Sequence, residues 1–144
     1  QQTLAGPWSL YLRFAGQASG GNLDSSEKMG LAGPGMVRAY APGAASVDQG
    51  GYLGAELRYV RDVVGGSFVW ALFHEEAQGR LNRLPPAALL AGNTVKLGGS
   101  GLSVQWSGGD IGLSASVAWR SRPALRAEGG DSQPRLYLQM VLTP

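Results

Sequence analysis

Large apolar side chains alternate with small or polar ones in six separate segments of the sequence. In WSLYLRFAG, every second residue is large and apolar, namely Trp8, Leu10, Leu12 and Phe14, whereas Arg13 falls in the intervening set. Successive side chains of a β-strand point to opposite faces, so this pattern predicts strands with one apolar face and one small or polar face. The same division recurs in five further segments: GYLGAELRY, SFVWALFHEE, GLSVQWS, IGLSASVAW and RLYLQMVL. The sequence therefore predicts an all-β chain of about six strands.

Composition indicates where such strands reside. Only 15% of the 144 residues are charged, against about 25% in a typical soluble domain. Mean hydropathy is nevertheless -0.06, and no stretch approaches the roughly 20 apolar residues of a membrane-spanning helix. A strand that alternates lipid-facing with lumen-facing residues averages to neutral hydropathy. These features predict an antiparallel transmembrane β-barrel rather than a helical membrane protein.

The connections between the predicted strands alternate in length. Segments rich in Gly, Pro and Ser occupy residues 19–51, 79–99 and 120–134, whereas RDVVGG and SGGD are brief. Long extracellular loops and short periplasmic turns give outer-membrane barrels this rhythm, and it predicts a meander. Four tryptophans on the apolar faces suit an aromatic girdle: Trp8, Trp70, Trp106 and Trp119. A soluble sandwich or lipocalin-like barrel is the alternative that the pattern leaves open.

Catalytic and cofactor chemistry finds little support. The chain has no cysteine and a net charge of +2 without a basic run, which argues against thiolate sites and against nucleic acid as a partner. The sole histidine, His74, lies beside Glu75 and Glu76, too few usable ligands on one strand face for a metal. No serine has a recognisable nucleophile context. We expect no enzyme activity, no metal and no cofactor.

Ordered motifs follow one another from Asn22 to Tyr59. NLDSSEK precedes a glycine-proline turn, the tetrapeptide VRAY and a strand that ends in ELRY. In this order they resemble the two-partner secretion transporters, the haemolysin-activator and filamentous-haemagglutinin-transporter family of outer-membrane proteins. NTVKLGGSGLSVQW and DSQPRLYLQMVL are similar to late strands of that family, so the resemblance spans nearly the whole chain.

The resemblance implies that residues 1–144 are the C-terminal portion of a larger, sixteen-stranded barrel, with a long lumenal or extracellular loop at about residues 20–50. Its expected location is the bacterial outer membrane. Its expected partners are a secreted exoprotein of haemolysin or adhesin type, outer-membrane lipid and, during insertion, the barrel-assembly machinery. Six strands leave open edges in hydrocarbon, so an isolated fragment would need other copies of itself to close them.

A loop anchor is also implied by the resemblance. In the family, the arginine of the VRGY-type element meets an acidic residue on the inner wall, and Arg38 matches that arginine, although Ala39 replaces the glycine. Phe73 and Glu75 lie in the stretch that best matches the family's F-x-D-x-G wall motif. Glu75 falls on the inward face by the alternation and is the expected partner of Arg38. Glu56 is the next candidate carboxylate. The supporting loop positions are Asp24, Glu27, Val37 and Tyr40.

The expected function is a protein-translocation pore that secretes a large exoprotein. A barrel-assembly insertase of the same superfamily shares the VRGY-type element, but it is not expected to carry NLDSSEK. A passive small β-barrel that serves as an adhesin or binding protein explains the alternation but not the loop motifs. Both alternatives stay open at the level of sequence.

Overall fold

The computed structural model describes residues 2–4, 6–123 and 133–143. Six strands of eight or more residues dominate it: β2 (Trp8–Gln17), β5 (Gln49–Val63), β6 (Gly66–Arg80), β7 (Thr94–Gly108), β8 (Ile111–Arg120) and β9 (Arg135–Leu142). Shorter elements are β1 (Gln2–Thr3), β3 (Met29–Gly30), β4 (Ser46–Val47) and a 3₁₀ helix (Ala87–Gly92). Among the described residues, no helix combines the length and apolarity that crossing a membrane takes.

One antiparallel sheet contains all the long strands. Its order is β1-β2-β5-β6-β7-β8-β9, so each strand pairs with its neighbour in the chain once the β3-β4 hairpin is set aside. The predicted all-β fold and the predicted meander order are thereby confirmed. The sheet is open within the described ranges, because β1 and β9 lie at its two ends. Closure into a barrel stays a prediction.

The strands are longer than the sequence indicated. Residues 79–99 were expected to form a loop, but β6 continues to Arg80 and β7 begins at Thr94. Four residues of RDVVGG and two of SGGD belong to strands, which leaves two-residue turns that contain Gly65 and Gly109, both with positive φ. Glycine content misled the prediction, because Gly98 and Gly99 pair in register with β6 instead of breaking the strand. Of the long segment at 120–134, residues 124–132 lie outside the described residues.

The two faces of the sheet differ as the alternation predicted. One register row joins Trp8, Tyr59, Trp70, Val104, Ala115 and Leu138. The next row on the same face joins Leu10, Leu57, Leu72, Leu102, Val117 and Leu136. Many of these side chains are exposed, including Trp70 at 52% and Leu138 at 75%. We call this surface the outward face.

The opposite, inward face carries polar side chains and a folded loop. Residues 22–48 form this loop, whose β3-β4 hairpin is closed by the backbone N–H of Leu31, which donates to the Ala45 carbonyl at 3.0 Å. The buried apolar cluster of the described residues lies between the loop and the sheet. From the loop it takes Leu31, Val37, Ala39, Tyr40, Ala45 and Val47, and from the sheet Tyr52, Phe73, Ala77, Val95, Leu97 and Ala118. Each fully buried large side chain contributes about 1.5–3 kcal/mol to holding the loop there.

Candidate functional site: a loop anchored on the polar face of the sheet

Arg38 is the centre of the loop's polar contacts with the sheet. Its Nε donates to Glu75 Oε1 at 2.8 Å, and its backbone N–H donates to Glu75 Oε2, also at 2.8 Å. One Nη donates to Glu56 Oε1 at 2.6 Å. The guanidinium therefore joins two carboxylates on adjacent strands, and a charge-assisted network of this kind is stronger than a single neutral hydrogen bond.

Aromatic rings complete the surroundings of this cluster. The Arg38 guanidinium carbon lies 3.5 Å from the centre of the Phe73 ring, within the range of a cation–π contact. Tyr52 donates its hydroxyl to Glu75 Oε1 at 3.1 Å. Glu75 is 2% exposed, so its charge depends on these partners, because a buried carboxylate without compensation is costly.

A second arginine shares the cluster from the sheet side. Arg58 binds Glu56 Oε2 through Nε at 2.8 Å and through an Nη at 2.6 Å, and its guanidinium lies 4.0 Å from the Tyr11 ring centre. Arg13 donates to the Gly35 carbonyl and thereby contacts the loop's glycine-proline turn. Two wall carboxylates, Glu56 and Glu75, thus bind Arg38 of the loop, and Glu56 also binds Arg58 of the wall.

The expected supporting residues divide into two groups. Val37 and Tyr40 are completely buried, and Tyr40 donates its hydroxyl to the Arg122 carbonyl at 3.1 Å while its own carbonyl accepts from the Tyr137 hydroxyl at 3.1 Å. Asp24 and Glu27 are exposed and bond to each other across a turn, the Glu27 N–H donating to the Asp24 carbonyl at 3.0 Å. The structure does not bring this second group to the Arg38 cluster.

Missing side chains on the wall make room for the loop. A Cβ built on Gly99 would lie 2.5 Å from the Ala39 Cβ, and one on Gly79 would lie 2.9 Å from both Val47 methyl groups. A Cβ on Gly101 would lie 2.4 Å from the Phe73 ring. An alanine can therefore replace the family's glycine at position 39, because its methyl group occupies space that Gly99 leaves empty.

The sequence reasoning missed a second attachment point, at the base of the loop. Lys28 Nζ lies 3.1 Å from Asp48 Oδ1 and donates to the Leu81 carbonyl at 2.5 Å. The Arg83 backbone N–H donates to Asp48 Oδ2 at 2.7 Å. Lys28 belongs to the NLDSSEK segment and could have been singled out, but no local pattern marks Asp48 as its partner.

The pKa of Asp48 lies below its ordinary value of 3.8. Burial by itself raises this pKa, but the Arg83 N–H and the Lys28 ammonium outweigh burial because both stabilise the charged carboxylate. A carboxyl whose folded-state pKa is depressed stabilises the structure fully above its unfolded pKa. That stabilisation is lost as the pH falls below 3.8 and through the folded-state value.

We expect Asp48→Asn to loosen the loop. The amide still accepts from Arg83 but offers no charge to Lys28, so an added protease should cleave within residues 22–48 about three- to tenfold faster at neutral pH. Limited proteolysis of the membrane-inserted protein measures this rate. Asp62→Asn, which changes an exposed aspartate at the far end of β5, serves as the matched control. Equal cleavage rates for both variants would contradict a role for Asp48.

A metal site does not emerge from the geometry. In the parts of the chain that the structure describes, no three side chains of His, Asp or Glu converge as a metal would require. His74 lies on the outward face, with Nδ1 at 2.8 Å from Ser100 Oγ and Nε2 at 3.5 Å from Glu76. It is therefore not part of the Arg38 cluster.

The sequence is similar to that of known transporter proteins. The chain is 31% identical over 146 residues to the heme/hemopexin transporter protein HuxB of Haemophilus influenzae strain 86-028NP. It is 33% identical over 148 residues to the protein of the same name from strain ATCC 51907. This chain is homologous to a curated transporter. The alignments cover 99% of the chain but only 25% of each relative, so the chain spans about a quarter of their length.

Two further comparisons gave no match. No protein-family model matches the chain. No solved structure matches it either.

Proposed function

We propose that this chain is the C-terminal part of an outer-membrane pore that secretes a large exoprotein by two-partner secretion. The observation that carries the proposal is the loop of residues 22–48, which is seated on the polar face of a sheet whose other face is apolar and exposed. A sheet of this kind separates lipid from a lumen, and the loop then occupies the lumen. Homology to a transporter along 99% of the chain supports the same assignment.

The size of the apolar band supports a membrane location. On β8, outward apolar residues run from Ile111 to Trp119, a rise of about 26 Å at ~3.3 Å per residue. Strands of outer-membrane barrels tilt by about 35–45°, and their apolar band is about 25 Å tall. A tilted β8 gives a height of ~20 Å, which is close to that value.

The relatives' name narrows the expected cargo. The relatives are named heme/hemopexin transporter proteins. By analogy, we propose that the exoprotein of this chain binds heme or hemopexin and is released without nucleotide or cofactor. Neither the insertase nor the passive adhesin gains a comparable observation.

Expression of the complete gene tests the proposal. The gene that encodes this chain is expressed in a Gram-negative host together with a gene for a candidate large secreted protein from the same genome. We expect that protein in the medium only when both genes are present, and ion conductance when the purified transporter is added to planar bilayers. Retention of the exoprotein in the periplasm despite correct outer-membrane insertion would contradict the pore. Loss of other outer-membrane proteins on deletion of the gene would favour the insertase.

A further inference from the structure

On β6 and β7 the outward face changes from apolar to polar at one row, on the side of the long loop. Along β6, outward residues change from Trp70 and Leu72 to His74, Glu76, Gln78 and Arg80. Along β7, they change from Leu102 to Ser100, Gly98, Lys96 and Thr94. The two runs are paired in register, His74 with Ser100 and Gln78 with Lys96. An apolar band thus ends against a polar band on two adjacent strands.

A shallow cleft of about 200 Å³ lies at this boundary. Its lining combines cations, one carboxylate, an apolar wall and a glycine: Gly51, Leu53, Glu76, Gln78, Lys96 and Arg122. Gly51 lacks a side chain and keeps the cleft open. Leu53, which is 57% exposed and pairs in register with Glu76, forms the apolar wall of the cleft.

The arginine of the cleft is held in place by Glu76. Arg122 donates to Glu76 Oε2 through Nε at 3.0 Å and through an Nη at 2.8 Å. The Glu76 side chain crosses β7 above Gly98, where a Cβ would lie 2.6 Å from Glu76 Oε1. This pair uses two of the five N–H donors that an arginine carries. Its charges cancel, so Lys96 gives the cleft a net positive charge, to which Arg80 in the next outward row adds.

We propose that this cleft binds the phosphate headgroup of an anionic membrane lipid; the inference rests on the proposed membrane location. Lys96 supplies a point charge and Arg122 a planar donor group, both of which suit phosphate oxygens. The acyl chains run from the headgroup along Leu53 and Phe14, which pair across β5 and β2. Phe14 is 85% exposed, so a lipid chain would cover one of the most exposed apolar side chains of the sheet.

A lipid fits this cleft better than free phosphate does. Free phosphate would gain only the polar contacts with Lys96 and Arg122, and nothing would offset the repulsion that Glu76 exerts on any phosphate in the cleft. A lipid also gains apolar contact with Leu53 and the band below it, and its attraction to cations near the membrane surface is substantial for each Lys or Arg. The cleft therefore selects a ligand that is both anionic and apolar.

Lipid retention by the purified full protein tests the inference. The protein is extracted in a zwitterionic detergent, incubated with an equal mixture of phosphatidic acid and phosphatidylcholine, and separated from unbound lipid, and the retained lipids are then quantified by mass spectrometry. We expect selective retention of phosphatidic acid. Lys96→Gln and Arg122→Gln should each lower it about fivefold, and Arg122→Lys should lower it less. Arg61→Gln, which removes an exposed cation at the opposite end of the sheet, is the control and should have no effect.

Each other outcome would overturn the inference. An equal loss with Arg61→Gln would show that any outward cation attracts the lipid. Displacement of the lipid by soluble glycerol phosphate would indicate a free-phosphate site. Unchanged retention in the Lys96→Gln and Arg122→Gln double variant, with native strand content by circular dichroism, would exclude the cleft. The assay needs no exoprotein, so these results are distinguishable from a failure of secretion or of outer-membrane localisation.

Discussion

We expect secretion to fall at least tenfold when Arg38 is changed to alanine, because the substitution leaves Glu75 buried without the guanidinium that pairs with it. Truncating one partner of a buried ion pair costs about 3–5 kcal/mol, and the partial exposure of Arg38, at 13% of its side chain, reduces that to ~2–4 kcal/mol. Exoprotein in the medium, normalised to transporter in the outer membrane, measures the effect. Arg38→Lys keeps the charge but not the planar fork and should be intermediate.

We expect Glu75→Ala to impair secretion less than Arg38→Ala does. Glu75→Ala leaves Arg38 bound to Glu56, so its effect should be smaller than that of Arg38→Ala. The Arg38→Ala, Glu75→Ala double variant should secrete no worse than the more severe single, with a coupling energy of about 1–2 kcal/mol. Arg61→Ala is the matched cation control. Strictly additive losses would contradict the view that Arg38 and Glu75 act as a unit.

A methyl group added at Gly99 should displace the loop, and removing one at Ala39 should restore it. The new Cβ would lie 2.5 Å from the Ala39 Cβ, and overpacking of this kind costs about 1–3 kcal/mol. Gly99→Ala should therefore expose residues 22–48 to protease and reduce secretion, while the Gly99→Ala, Ala39→Gly double variant should recover both. The rescue separates a contact between loop and wall from a general defect in the sheet.

Gly112→Ala is the control for this exchange. Gly112 is also an inward glycine of the sheet, but a Cβ there would have no neighbour closer than 3.9 Å. We expect native secretion and native protease resistance from this variant. A defect in Gly112→Ala as large as that in Gly99→Ala, or a double variant that fails to recover, would show that glycine itself is required in these strands.

The predictable part of the fold was the part set by local periodicity. Alternation at period two assigns Leu57 outward and Glu56 inward without knowledge of any partner strand, and the antiparallel meander follows from consecutive strands joined by turns. Strand ends were less predictable. Glycines such as Gly79 indicated a loop, although in the sheet they are pairing residues that leave room for Val47.

The site was predictable only where two signals met. Arg38 came from the loop motif and Glu75 from the resemblance to the wall motif together with alternation, and the structure brings the two side chains to 2.8 Å. The ion pair between Lys28 and Asp48 spans twenty residues of loop and depends on how the hairpin folds back, which no periodic pattern encodes. The two hydrogen bonds from Arg58 to Glu56 depend on side-chain rotamers, which the sequence pattern does not encode either.

The contacts between the β3-β4 hairpin and the wall would allow the hairpin to be withdrawn and replaced by another segment. Its two short strands pair with each other in a separate two-stranded sheet, and above its base the described contacts with the wall use side chains and glycine gaps. Withdrawing it would therefore leave the main-chain ladder of the seven-stranded sheet intact. The polar wall could then offer Glu75, Glu56 and the vacated glycine surface to another extended segment. The loop and a translocating polypeptide would in that case compete for the same binding surface.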